Sequence, residues 1–165
     1  MTAWTCAVRE LIRLGATTIA AFSLVLATGA VAHAEPPPGS DAIDAYPIAV
    51  GEYRPGPPPN YHVFFRTPDG LFCGIGPNGG PIGCDGVPLD APPGTNQTFL
   101  TSGAPAEYRH SAAPSFTREG VDVLPAGYRL ENWGASCGVG HQGTVTCKTY
   151  GGHGFTISSV YGVLW

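Results

Sequence analysis

The feature that most constrains this chain is a short motif used twice and closed each time by two cysteines. Cys73-Gly-Ile-Gly-Pro-Asn-Gly-Gly-Pro-Ile-Gly-Cys84 and Cys137-Gly-Val-Gly-His-Gln-Gly-Thr-Val-Thr-Cys147 align over both cysteine pairs and three glycines once one residue is deleted. Ile75 then matches Val139, Asn78 matches Gln142, and Ile82 matches Val145. An apolar residue on each side of a glycine-rich turn, with a cysteine beyond each, describes a hairpin stapled across its strands. Facing residues in an antiparallel ladder have Cα atoms ~4.5–5.5 Å apart, within the reach of a disulfide. The duplicated spacing favours Cys73–Cys84 with Cys137–Cys147. Pairing across the repeats is the rival, because spacing alone does not decide connectivity. Each local bridge closes a loop of about a dozen residues and contributes roughly 3 kcal/mol on the chain-entropy account.

Disulfides require an oxidising compartment, and the N-terminus has the parts of an export signal. Arg9 and Arg13 form a positive start, residues 14–31 are rich in Ala, Leu, Val and Ile, and Ala32-His33-Ala34 offers the small residues of a cleavage site. The expected organisation is a signal peptide over 1–34, a Pro-rich extended arm over 35–60 and a disulfide-stabilised β domain over 61–165. Cys6 leaves with the signal, the four remaining cysteines can all pair, and no membrane span is expected after cleavage. The expected location is secreted, extracellular or associated with the cell envelope.

Of twelve acidic and eight basic residues, the signal removes Glu10, Arg9 and Arg13, leaving eleven and six. A net negative chain with few charges is a poor match for nucleic acid or an anionic membrane, both of which select basic patches. With 24 glycines and 17 prolines, turns should be frequent and helices few.

Along the arm, Glu35-Pro-Pro-Pro38 and Arg54-Pro-Gly-Pro-Pro-Pro-Asn60 favour polyproline II, since each proline fixes φ and removes a donor. Tyr61-His-Val-Phe-Phe-Arg66 is β-branched and aromatic, a strand ended by the turn former Asp69-Gly70. Leu71-Phe72-Cys73 and Ile82-Gly83-Cys84 add two more antiparallel strands. Residues 99–124 are weakly patterned, enough for one or two short strands. At the C-terminus Phe155, Ile157, Tyr161, Val163 and Trp165 alternate as the apolar face of a strand, with the terminal Trp docked. The fold class expected is all-β: a small antiparallel sandwich or partly open barrel with two disulfide-closed hairpin loops.

Motifs with a chemical meaning lack the context they need. Gly74-x-Gly76-x-x-Gly79 and Gly138-x-Gly140-x-x-Gly143 match a dinucleotide fingerprint but are followed by a closing cysteine in place of a helix. Gly134-Ala-Ser136-Cys-Gly138 matches a nucleophile elbow, yet no Asp or Glu follows Glu131. The cysteines lack zinc or redox spacing, so neither a metal nor a cofactor is expected. Asn96-Gln97-Thr98 is a glycosylation sequon, whose physical content is a surface loop. Asn78, His141 and Gln142 stand at the tips of the stapled loops, and His153 lies between glycines in Gly151-Gly-His-Gly154. These four are the candidate binding residues.

The block from Phe65 to Asp85, the Ala91-Pro-Pro-Gly-Thr-Asn-Gln-Thr98 stretch, Gly151-Gly-His-Gly-Phe-Thr-Ile-Ser158 and the Tyr-Gly-Val-Leu-Trp end together resemble small secreted actinobacterial proteins of mycobacterial type, of unknown function. The resemblance covers most of residues 46–165. It implies export and a disulfide-bonded domain, and it transfers no site residue. The expected function is a non-catalytic exported protein that binds a protein or an envelope component through its stapled loops. The alternative is a secreted hydrolase pairing His153 with Asp85 or Asp122.

Overall fold

The computed structural model describes residues 35–165. The expected signal peptide and Cys6 lie outside the described residues. Ten strands form two five-stranded antiparallel sheets. The first holds β1 (Val63–Arg66), β2 (Phe72–Ile75), β3 (Ile82–Cys84), β4 (Gln97–Thr101) and β5 (Ala104–Arg109). The second holds β6 (Arg129–Asn132), β7 (Ala135–Val139), β8 (Val145–Lys148), β9 (Gly154–Ile157) and β10 (Gly162–Leu164). In each sheet the strands neighbour one another in chain order, so the sequence repeat is a meander made twice.

The cysteines occupy equivalent places, the second and third strands of each meander. Cys73 faces Cys84 and Cys137 faces Cys147, both pairs are disulfide-bonded, and their Cα atoms are 4.0 and 4.1 Å apart. Register agrees around them: Phe65 and Leu130 face the first cysteine of each pair, and Ile75–Ile82 matches Val139–Val145. The inward side chains of both sheets meet in one core with the two disulfides, including Phe65, Ile82, Leu100, Phe155 and Ile157. This is a β-sandwich.

The glycines beside the cysteines serve the outer faces. Strand neighbours point to opposite sides, so an inward cysteine puts the next residue outward. Gly74 and Gly83 face each other and form a floor without side chains. Phe116, 2% exposed, lies on that floor, with its ring 3.1 Å from where a Gly74 Cβ would stand and 2.7 Å from one on Gly83. On the second sheet Ile43, 3% exposed, covers Gly138 in the same way. Its carrier is a short 3-10 helix, Ser40–Ala45, tied to the sheet by Lys148 Nζ to Asp41 at 2.8 Å and to Asp44 at 2.6 Å.

Residues 35–60 are not extended throughout: Ser40–Ala45 is the 3-10 helix, and the 46–50 stretch between the Pro-rich ends packs on the domain. They belong to the same unit as the strands, because Ile43 has apolar surface to bury and the edge of β6 has donors to satisfy. Ala49 N donates to Arg129 O at 2.9 Å and Arg129 N to Pro47 O at 3.0 Å. The second meander's lead-in does the reciprocal thing: Arg66 N donates to Asp122 O at 3.1 Å and Leu124 N to Arg66 O at 2.8 Å. Each lead-in thus covers the first strand of the other meander. The expected Asp69-Gly70 turn joins β1 to β2, with Gly70 left-handed. The alternating C-terminal segment, expected as one strand, is instead a hairpin, because residues 158–161 turn back between β9 and β10. The docked Trp165 is observed, packed on Gly154.

Asp85 holds the Phe116 segment in place. Its carboxylate accepts from Ser115 N at 3.0 Å, Phe116 N at 2.8 Å, Thr117 N at 2.7 Å, Thr117 Oγ1 at 2.8 Å and Gln97 Nε2 at 2.8 Å. Burial alone would raise its pKa, but the bonds from Gln97, Ser115, Thr117 and Phe116 outweigh that and hold it below the ordinary 3.8.

Two predictions follow from these contacts. Gly83→Ala places a methyl against the Thr98 carbonyl and the Phe116 ring, and is expected to cost about 2–3 kcal/mol in urea unfolding. Gly103→Ala, which meets nothing within 4 Å, should stay within about 0.5 kcal/mol. For Asp85, a folded pKa below the unfolded one means stabilisation that is full above pH 3.8 and lost as pH falls through the folded value. Asp85→Asn should therefore melt lower than wild type at neutral pH, and the gap should close below pH 3.8. Parallel melting curves across that window would refute the assignment.

Candidate functional site

The stapled turns hold Asn78, His141 and Gln142 in exposed positions, as expected for loop tips. They do not bring them together. The β2–β3 turn carrying Asn78 lies beside Ser102 and Tyr150, that is, beside the β4–β5 and β8–β9 turns. The β7–β8 turn carrying His141 and Gln142 borders the β1–β2 turn at Asp69 and Leu71 and the β9–β10 turn at Ser158. Since β2 runs between its two turns, the stapled loops occupy opposite ends of the sandwich. His141 packs edge-on to Tyr46, ring centroids 6.2 Å apart, and over Gly127.

His153 leads into β9 at the Asn78 end, half-buried, and its carbonyl accepts from Thr149 N at 2.9 Å. Asp85 follows β3 and Asp122 pairs beside Arg66, both at the other end. The histidine and carboxylates of the hydrolase alternative are therefore separated by the length of the strands. Ser136 sits inside β7, facing Glu131 and Lys148 across the ladder, and not on an elbow. The sequon residue Asn96 is itself a structural clasp: Nδ2 donates to Ser111 O at 2.9 Å and Oδ1 accepts from Ser111 N at 2.8 Å. Among the described residues no group of three or more His, Cys, Asp or Glu is placed to hold a metal, and no helix is long and apolar enough to cross a membrane.

What the sequence reading missed is an aromatic surface at the Asn78 end. Tyr61 and Trp133 are each 53% exposed and Tyr150 is 66% exposed. Tyr61 meets Trp133 edge-on at 6.3 Å between centroids. Tyr150 lies against Gly134, with Cδ1 3.1 Å from where a Cβ would stand, and its hydroxyl is 3.1 Å from Ser102 Oγ. Four turns, from β2–β3, β4–β5, β6–β7 and β8–β9, converge there around Gly79 and Gly151, which face Ser102 too closely to admit a side chain.

Trp133 has φ +50° in the two-residue turn between Asn132 and Ala135. That geometry suits Asn or Gly and disfavours a bulky side chain. Asn78, at φ +54°, is the other non-glycine residue left-handed among the described residues, and it obeys the preference. Beneath the tryptophan lies Asn132, 5% exposed, with three bonds. Its Nδ2 donates to Tyr61 O at 2.8 Å and Ile75 O at 3.0 Å, and its Oδ1 accepts from Arg54 at 2.9 Å. Asn132 therefore fixes Tyr61, the end of β2 and the Trp133 turn to one another. A sequence signal existed: Asn-Trp-Gly-Ala places Trp133 before Gly134, where hairpins favour Asn.

The loops of this end, residues 55–62, 76–81, 101–105, 133–134 and 150–153, contain no Asp, Glu, Lys or Arg. They also contain no Val, Leu, Ile or Met. The opposite end carries Asp69, Asp85 and Asp90. Open hollows flank the ridge, one of about 350 Å³ bordered by Gly134 and Tyr150 and by the charged Asp44, Glu131 and Lys148, the other of about 540 Å³ bordered by Asn78, Gly79, Ser102 and Arg109.

No family model matches the chain, and neither a curated protein nor a solved structure is significantly similar to it.

Holding a bulky residue left-handed costs about 1–2 kcal/mol, which Asn at the same place largely avoids. Trp133→Asn is therefore expected to be about 1–2 kcal/mol more stable than Trp133→Val in chemical unfolding. Equal stability of the two would show that the turn stores no strain.

Proposed function

We propose that this chain is an exported, non-catalytic binding protein, acting at the cell envelope or in the medium, and that the aromatic end of its sandwich is the contact surface. The observation that carries the reading is Trp133: a half-exposed tryptophan held in a strained turn where Asn would fold more easily. Strain kept against an available relief points to a use outside folding. Exposed Trp and Tyr side chains supply large contact area with few rotors to freeze, and such residues dominate measured binding hot spots. The turns that carry them are tied by Asn132 and by the Cys73–Cys84 hairpin, so little further order is lost on binding.

Export is supported by the two buried disulfides, by the N-terminal pattern and by the resemblance to secreted actinobacterial proteins. Of the loop residues expected to bind, Asn78 and His153 share the end with the aromatic surface. His141 and Gln142 belong to the other end and have no part in this reading.

The test is capture of labelled envelope fractions on immobilised protein, together with an intact mass of the protein from culture medium. Wild type and His141→Ala are expected to capture alike, while Trp133→Asn and Tyr150→Ala lose tenfold or more. A mass beginning at Glu35 is expected. Capture that depends on His141 and ignores Trp133 would overturn the assignment of the surface.

A further inference from the structure

We infer that the ligand of the aromatic end is a neutral polysaccharide, an inference that rests on the binding reading above and gives it a chemical class. The composition of the surface matches that ligand. A pyranose or furanose ring has apolar C–H faces and a rim of uncharged hydroxyls. Its faces are matched by aromatic rings, whose negative faces attract C–H groups, and its rim by amides and hydroxyls. This end offers both. Trp133 meets Tyr61 edge-on, and Tyr150 lies against Gly134, the residue next to Trp133. The Asn78 amide and the Ser102 and Tyr150 hydroxyls lie alongside.

What the end lacks is as informative. A surface for a protein partner draws on Met and Arg besides aromatics and gains selectivity from complementary charge. Here the converging loops hold no charged side chain and no Val, Leu, Ile or Met, and the cations at the margin are already engaged: Arg54 by Asn60 O at 3.2 Å and Asn132 at 2.9 Å, Lys148 by Asp41 and Asp44, and Arg109 by Gln97 at 2.7 Å. A ligand without charge suits such a site. An anionic polymer would find the bordering cations Lys148 and Arg109 already bonded, would meet Asp44 and Glu131 beside the first hollow, and would approach a net negative protein. Several rings side by side, in open surface and not in a closed cavity, fit a chain better than a single sugar.

The experiment is affinity electrophoresis of the full-length protein in native gels containing glycogen, galactomannan or arabinogalactan, with alginate as the anionic comparison. Wild type is expected to be retarded at least twofold by one of the neutral polymers and not by alginate. Trp133→Phe should keep part of the retardation, and Trp133→Asn and Tyr150→Ala should lose it, with melting curves showing that each variant is folded. Retardation by alginate alone, or equal retardation of Trp133→Asn and wild type, would overturn the inference. So would no retardation by any neutral polymer. In that last case, Trp133-dependent capture of an envelope protein would leave the binding reading standing, whereas no capture at all would remove both.

Discussion

Everything in this fold depends on the pairing of strands two and three in each meander, where one position must satisfy both faces of a sheet. Inward, the facing cysteines join the strands and fill the core with fully buried sulfur. Outward, the adjacent glycines leave bare backbone, and large side chains pack on it, Phe116 with Phe64 on one sheet and Ile43 with Tyr46 on the other. A domain of this size has little interior, so burying both faces of its sheets enlarges the apolar area removed from water. Asp85 secures one of those covers with four hydrogen bonds to Ser115, Phe116 and Thr117, and Lys148 with Asp41 and Asp44 secures the other. The second arrangement is the weaker, since Asp41 is largely exposed and such ion pairs contribute at most about 1 kcal/mol.

The crossed lead-ins are the second consequence of the duplication. A five-stranded meander alone has two open edges, which invite association with other chains. Here residues 47–49 cover β6 and residues 122–124 cover β1, so each half closes an edge of the other. Asp122 also accepts from Glu52 N at 2.8 Å, tying the two lead-ins together. The halves are thus interdependent in backbone hydrogen bonding as well as in their shared core.

With the sandwich held this way, its turns become rigid, and the two ends are free to differ. One end keeps acidic side chains and a solvated loop at His141. The other gathers aromatic rings on loops without charged residues, with Asp44, Glu131, Lys148 and Arg109 at the margins. That difference underlies the recognition surface we propose, and Asn132, which binds three partners beneath Trp133, holds the strained turn in place.

The all-β class, the hairpin at each cysteine pair and the match of Ile75 with Val139 and Ile82 with Val145 were legible in the sequence, because alternation and turn chemistry act over a few residues. Cys73–Cys84 and Cys137–Cys147 were favoured there by spacing, and the three-dimensional structure selects them. Only tertiary structure placed Ile43 and Phe116 on glycine floors, turned the Pro-rich segment into an edge cover, and split the C-terminal alternation into a hairpin. Only it separated Asn78 from His141 and His153 from Asp85 and Asp122. It alone joined Tyr61, Trp133 and Tyr150, which lie far apart along the chain. The physical reason is range: local pattern encodes which face a side chain takes, whereas the meeting of four turns depends on how two sheets pack, which no short stretch of residues contains.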